Sequence, residues 1–282
     1  MATETLDLLN EATQTNLACP LRQGNIVYLP NKGSLIVTGD LHGHERNFER
    51  IVAFSDLPHH PDRHVVFQEI IHGGPQSPSG GCLSFRILFD VIRFKMKFPH
   101  QVHLILGNHD TASITGAEVM KDSREMNRAF RQALSEEFGG QAEEMECAIN
   151  RFLISQPLAV TTDNCIWMSH SLPSDRLVDL FDTDVFQKDL TKADCIKPGS
   201  AYILTWGRNM SQNLLNRMAQ LLKTEVFILG HQAQPQGWTK AGDNLIIIAS
   251  DHNHGCLVCL DLESYYSADH VINAIKPLSS IK

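Results

Sequence analysis

Several apolar segments, far apart in this chain, each end on a side chain able to bind a metal ion. Residues 34–39 (SLIVTG) read as a buried strand running into Asp40, and 65–67 lead to Gln68-Glu69. Residues 102–106 end in Gly107-Asn108-His109-Asp110, 165–169 in His170, and 226–230 in His231. Strands alternating with helices make an α/β fold, where sites form in the crevice beyond the strands' carboxyl ends. The pattern predicts one site assembled from distant residues.

The helices follow from periodicity. Residues 45–54 carry Phe48, Ile51 and Val52 on one face, and similar signals cover 84–98 and 212–222. Residues 116–154 are polar, Glu-rich and helical in period, an excursion from the sheet. A strand is expected at 158–161, and 245–250 with 256–260 have the look of a hairpin around DHNHG.

The motif Gly39-Asp40-Leu41-His42-Gly43-His44 sets a carboxylate and an imidazole two residues apart, on one side of an extended segment. Its glycines let the backbone turn tightly beside an ion. Asn108 can ligate through its carbonyl oxygen. His109 and Asp110 form a candidate acid pair, the carboxylate orienting the imidazole and raising its pKa. His170 and His231 are individually weak signals, but with these motifs they complete a mixed N/O set suited to manganese, iron or zinc.

The formal charge of −8 and the lack of a Lys/Arg cluster speak against a nucleic-acid groove. The longest apolar runs are far too short to span a bilayer, and residues 1–16 do not read as a signal peptide. The seven cysteines are scattered, and Cys256-x-x-Cys259 lies in an apolar strand, so reduced thiols and a cytoplasmic location are expected. No linker divides the 282 residues, which favours one domain.

The ordered set GDLHGH, GNHD, a strand-final His170 and GHQ at His231 resembles the calcineurin-like metallophosphoesterase superfamily, and within it the serine/threonine phosphoprotein phosphatases of bacterial type. The likeness runs from about Leu35 to Leu262 and includes Gln156-Pro157-Leu158-Ala159 and His170-Ser171-Leu172-Pro173. It implies a four-layer αββα sandwich of two mixed sheets, and two divalent metals, manganese foremost. Asp40 and His42 would hold one metal, Asn108, His170 and His231 the other, with Glu69 bridging. His109, backed by Asp110, would protonate the leaving alcohol after attack by a hydroxide that the metals activate.

The chain departs from the family at its second motif. Where relatives read Gly-Asp-x-x-Asp-Arg-Gly, this sequence has Gln68-Glu69-Ile70-Ile71-His72-Gly73-Gly74. Glu69 takes the bridging slot with a carboxylate roughly 1.5 Å farther out. Gly73 and Leu106 stand where relatives carry phosphate-clamping arginines. Arg208, in Thr205-Trp206-Gly207-Arg208, resembles a later phosphate-contacting arginine, and Asn108 and His72 could assist it. Three functions fit: a phosphatase acting on phosphorylated protein, a hydrolase of small phosphoesters or nucleotide polyphosphates, and a non-catalytic binding module.

Overall fold

The computed structural model describes residues 2–121 and 123–281. The chain opens with α1 (Ala2–Leu17), then β1 (Arg22–Gln23), β2 (Ile26–Leu29), β3 (Ser34–Asp40), α2 (Glu45–Ser55), β4 (Arg63–Gln68), α3 (Ser84–Lys97) and β5 (Val102–Ile105). The middle holds α4 (Asn108–Thr115), β6 (Met120–Lys121), β7 (Arg124–Glu125), α5 (Met126–Phe138), α6 (Ala142–Ile154), β8 (Ala159–Thr162), β9 (Ile166–Ser169) and α7 (Ser200–Trp206). It closes with α8 (Gln212–Leu222), β10 (Val226–Leu229), β11 (Trp238–Ala241), β12 (Leu245–Ile248), β13 (Cys256–Asp261), α9 (Ala268–Ile272) and β14 (Ile275–Pro277).

Two mixed sheets form the centre. One orders its strands β1-β2-β8-β9-β10-β12-β11, the other β14-β13-β3-β4-β5. In the second, β3, β4 and β5 run parallel; in the first, β9, β10 and β12 do. Their carboxyl ends come together where Asp40 bridges to Ala249 across the sheets.

Strand alternation explains the layers. On β10, Val226 and Ile228 face the core between the sheets, with Val37, Val66 and Ile105 opposite. Phe227 and Leu229 point the other way, to Leu214 and Met218 of α8. On β4, Val66 turns inward while Val65 and Phe67 join the helix-covered outer core with Leu88 and Phe152. A period of two with both faces apolar can be satisfied only by a strand covered on each side. The result is the expected four-layer sandwich.

The last apolar pair is not a hairpin. β12 belongs to the seven-stranded sheet and β13 to the other, where it pairs antiparallel with β3. The loop between them crosses sheets because Ser250 plugs the end of β3: its N–H donates to the Asp40 carbonyl (3.1 Å) and its Oγ accepts from Gly39 (2.9 Å). The excursion at 116–154 consists mainly of α5 and α6, preceded by the small β6–β7 hairpin. Among the described residues no helix is long and apolar enough to cross a membrane.

Candidate metal centre

Asp40 ends β3, Glu69 follows β4, Asn108 opens α4 after β5, and His170 and His231 follow β9 and β10. The fold brings these side chains to one place. His170 Nε2 lies 2.7 Å from Asn108 Oδ1 and 2.9 Å from Glu69 Oε2. His231 Nδ1 is 2.8 Å from the same Asn108 oxygen. On the other side, His42 Nε2 faces Asp40 Oδ2 at 3.7 Å. Ligand-type atoms of Asp40, Glu69 and His170 all fall within 4.8 Å of one another.

Hydrogen bonds behind these atoms fix what they present. Gln68 Nε2 donates to the Thr38 carbonyl, which leaves its Oε1 to accept from His170 Nδ1 at 3.1 Å. The proton is therefore on Nδ1, and Nε2 of the neutral ring shows a lone pair. His42 is set the same way, Nδ1 donating to the Ile71 carbonyl at 3.0 Å. With Glu69 ionised, the His170 Nε2 lone pair, the Asn108 amide oxygen and the carboxylate face one another with no proton to share. A divalent cation relieves that repulsion, and the N/O donor set suits one.

Burial pushes each group toward its neutral form. Glu69 is raised to about 8 and Asp40 to about 6. His42 is lowered to about 3 by burial and then by the charge of Lys121, while His109 and His231 fall well below the usual range. The imidazoles are thus kept in the form that ligates, and the carboxylates are left in need of a positive partner.

The backbone is unusual in the same place. His42, Glu69, His72 and His231 have φ of 44°, 48°, 65° and 67°, left-handed values that side-chain-bearing residues seldom adopt. Each turns the chain sharply where its strand or loop meets the site. Close approach is as strict: a Cβ on Gly230 would sit 2.3 Å from Asp40 Oδ1.

His109 lies at the edge of the cluster, but Asp110 does not back it. Asp110 Oδ2 accepts the Gly107 N–H at 2.9 Å, capping α4, and also takes Gln156 Nε2 at 3.4 Å. The partner of the His109 ring is His72, Nδ1 to Nδ1 at 3.1 Å. His72 is fully buried against Phe130 beneath His109, not at an open face where phosphate would rest. Adjacency in sequence suggested the wrong neighbour, because consecutive residues at a helix start point apart. Arg208 is exposed and lines a cleft of about 360 Å³ with Ser174, Arg176 and Trp206, and its charge reaches His170 and His231.

Four contributing residues escaped the sequence reading. Gln68 orients His170, and its signal was a polar residue ending an apolar strand. Asn47 holds the loop after β12 by donating to the carbonyls of Ser250 and His252 at 2.7 and 2.9 Å. Lys121 and Asp251 form an ion pair of 3.0 Å beside the cluster.

Two helix-flanked mixed sheets with metal-type ligands at their strand ends define a metallophosphoesterase fold. The chain belongs to the calcineurin-like phosphoesterase family, whose model matches residues 33–273. That family is metal-dependent and its members are hydrolases. Similar solved structures include a protein serine/threonine phosphatase from Saccharomyces cerevisiae with similarity to human phosphatase PP5, at a TM-score of 0.65 and 17% identity, over 92% of this chain and 82% of that one. A cold-active protein-tyrosine phosphatase of a psychrophilic Shewanella species gives a TM-score of 0.65 at 12% identity, over 94% and 84%. A search of curated proteins by sequence found no match.

Proposed function

We propose that the chain is a phosphomonoesterase of the phosphoprotein-phosphatase kind, working with two divalent ions, manganese foremost. The observation that carries this reading is the convergence of metal-type ligand atoms from Glu69, Asn108, His170 and His231 on one point. Asp40 and His42 would hold one ion, Asn108, His170 and His231 the other, and Glu69 would lie between. When bound, such a pair lowers the pKa of water and neutralises phosphoryl oxygens.

The chain's own residues do the rest. Gln68 and the Ile71 carbonyl fix the two imidazole tautomers. With His72 Nδ1–H donating to His109 Nδ1, the His109 N–H sits on Nε2, where it would donate a hydrogen bond to the leaving oxygen as charge builds there. Arg208, whose charge reaches His170 and His231, would meet an equatorial phosphoryl oxygen. The two solved relatives carry names for activity on phosphoserine/threonine and on phosphotyrosine, which supports a phosphorylated protein as substrate.

The test is metal content per chain with para-nitrophenyl phosphate hydrolysis, with and without Mn²⁺. About two metals and metal-dependent turnover support the reading. One metal or none, with no turnover under any divalent ion, overturns it in favour of a binding module. The closed arginine positions described below favour a second reading, a small phosphoester or nucleotide polyphosphate as substrate. Phosphopeptides run against a diadenosine polyphosphate panel separate the two.

A further inference from the structure

The two positions where related sequences hold arginine are closed by packing, not merely vacated. A Cβ on Gly73 would lie 2.3 Å from the His42 carbonyl oxygen, because residues 42–43 and 73–74 cross in backbone contact. Leu106 is fully buried, and its N–H donates to the Pro157 carbonyl at 3.0 Å. No guanidinium can enter from either place without rebuilding the site. On that side a dianionic phosphoryl group would meet only the histidines, unless a cation comes from elsewhere in the chain.

One does. Lys121 is carried by the β6–β7 hairpin, outside every motif of the sheet. Its Nζ lies 3.0 Å from Asp251 Oδ2, the two side chains 25% and 22% exposed. Asp251 directly follows Ser250, whose N–H is bonded to the carbonyl of Asp40. The pair thus stands one residue from a direct bond to the backbone of Asp40. The Met126 N–H to the Val119 carbonyl, at 2.9 Å, closes the hairpin, and Arg124 ties it to the Gly80 carbonyl. The Lys121 charge is felt at His42, Glu69, His72 and His109, as that of Arg208 is at His170 and His231.

We propose that Lys121 is a phosphate-binding residue of this site, taking the place of the arginines excluded at 73 and 106, with Asp251 as its tether. This rests on the phosphatase reading above. An ammonium has three N–H donors, so one can stay on Asp251 while two turn to phosphoryl oxygens. Lys121 and Arg208 then grip the group from opposite flanks of the cluster. A lysine is a point charge without the planar fork of arginine, so it tolerates more than one approach of the ester.

The experiment is calorimetric binding of inorganic phosphate to the Mn²⁺-loaded full chain, for wild type, Lys121→Met and Lys121→Arg, with kcat and KM on para-nitrophenyl phosphate beside it. Loss of one charge-assisted contact should weaken phosphate binding and raise KM about ten- to a hundred-fold in Lys121→Met, with kcat changed less. Lys121→Arg should recover binding to within about three-fold. Equal phosphate affinity in wild type and Lys121→Met overturns the assignment, as does a loaded wild type that binds no phosphate. Phosphate binding that depends on Lys121 in a protein without turnover would leave the assignment standing and sink the catalytic reading instead.

Discussion

β4 and β5 carry a buried histidine pair at each end. At the amino end, His64 and His103 stack with centroids 5.4 Å apart and nitrogens at 3.2 Å. At the carboxyl end, His72 and His109 meet at 5.3 Å between centroids and 3.1 Å between nitrogens. Burial depresses the basicity of all four. The surroundings differ. The amino-end pair lies near Lys95, whose Nζ donates to the Val102 carbonyl at 2.9 Å, and the nearest acid acting on His64 is the exposed Asp62. The carboxyl-end pair adjoins the buried carboxylates Glu69 and Asp110, on a backbone bent to positive φ at His42, Glu69 and His72. Burying histidines therefore does not make a metal site. What sets the carboxyl end apart is a carboxyl group, an amide oxygen and imidazole nitrogens converging within hydrogen-bond distance.

The largest effect should come from removing one of those acceptors. Asp40→Asn keeps the shape and loses the charge. Losing even an outer partner of a metal ligand lowers metal affinity or activity about ten- to a hundred-fold, so turnover here should fall at least about a thousand-fold. Metal content should drop below one per chain, while His103→Gln at the other end leaves both metal and turnover in place. Equal metal content in the two variants would dissolve the distinction between the ends.

Next in size is His109→Ala, expected to lower kcat by about a hundred-fold or more on an alkyl phosphate with metal retained. The loss should shrink on para-nitrophenyl phosphate, whose leaving group needs little protonation. An equal loss on both substrates would remove His109 from the proton-donating role.

How much of this was legible depended on range. The candidate ligands at positions 40, 69, 108, 170 and 231 could be read because each follows an apolar run, a signal carried within a few residues. Helix α8 began and ended where its periodicity did, from Gln212 to Leu222. What failed was non-local. Nothing within 245–260 says that Leu257 pairs with Thr38 in the other sheet. The β6–β7 hairpin has two residues per strand, too few to show a period, so Lys121 passed as part of a helical stretch. The His109–His72 contact joins positions 37 apart and was masked by Asp110 next door. α1 hides its buried Leu6 and Leu9 among polar residues.

A third expected effect is on stability, and it has opposite sign at the two ends. With metals stripped, Glu69 and Asp110 have folded pKa values raised by burial to about 8 and about 7, above their unfolded values. The folded state then holds more protons than the unfolded, so stability falls as pH rises through the window. Depressed histidines act the other way, but they do so in stripped and metal-loaded protein alike, so the carboxylates are read in the difference between the two. Between pH 6.5 and 8 the stripped protein should lose about 2 kcal/mol relative to the metal-loaded protein. Metal-loaded protein, its carboxylates already ionised, should show no such loss. Denaturant unfolding at the two pH values, with and without chelator, checks it. A stripped profile parallel to the loaded one would mean the carboxylates are not held protonated.

The smallest effect belongs to Lys95. Burial lowers its pKa to about 8, below the unfolded value, so between about pH 8 and 10.5 the unfolded state holds the extra proton and stability rises with pH. Wild type should gain about 2 kcal/mol from pH 7 to 10 on this account. Lys95→Met removes the titration and with it the slope. It also removes the desolvation penalty at pH 7, offset by about 1 kcal/mol for the lost bond to the Val102 carbonyl, so the variant should be modestly more stable there and no better at pH 10. Turnover should stay unchanged, since Lys95 sits at the far end of the strands from the metal cluster. A variant that lost activity without losing stability would tie the amino-end cluster to the site through β5, and the two ends would no longer be independent.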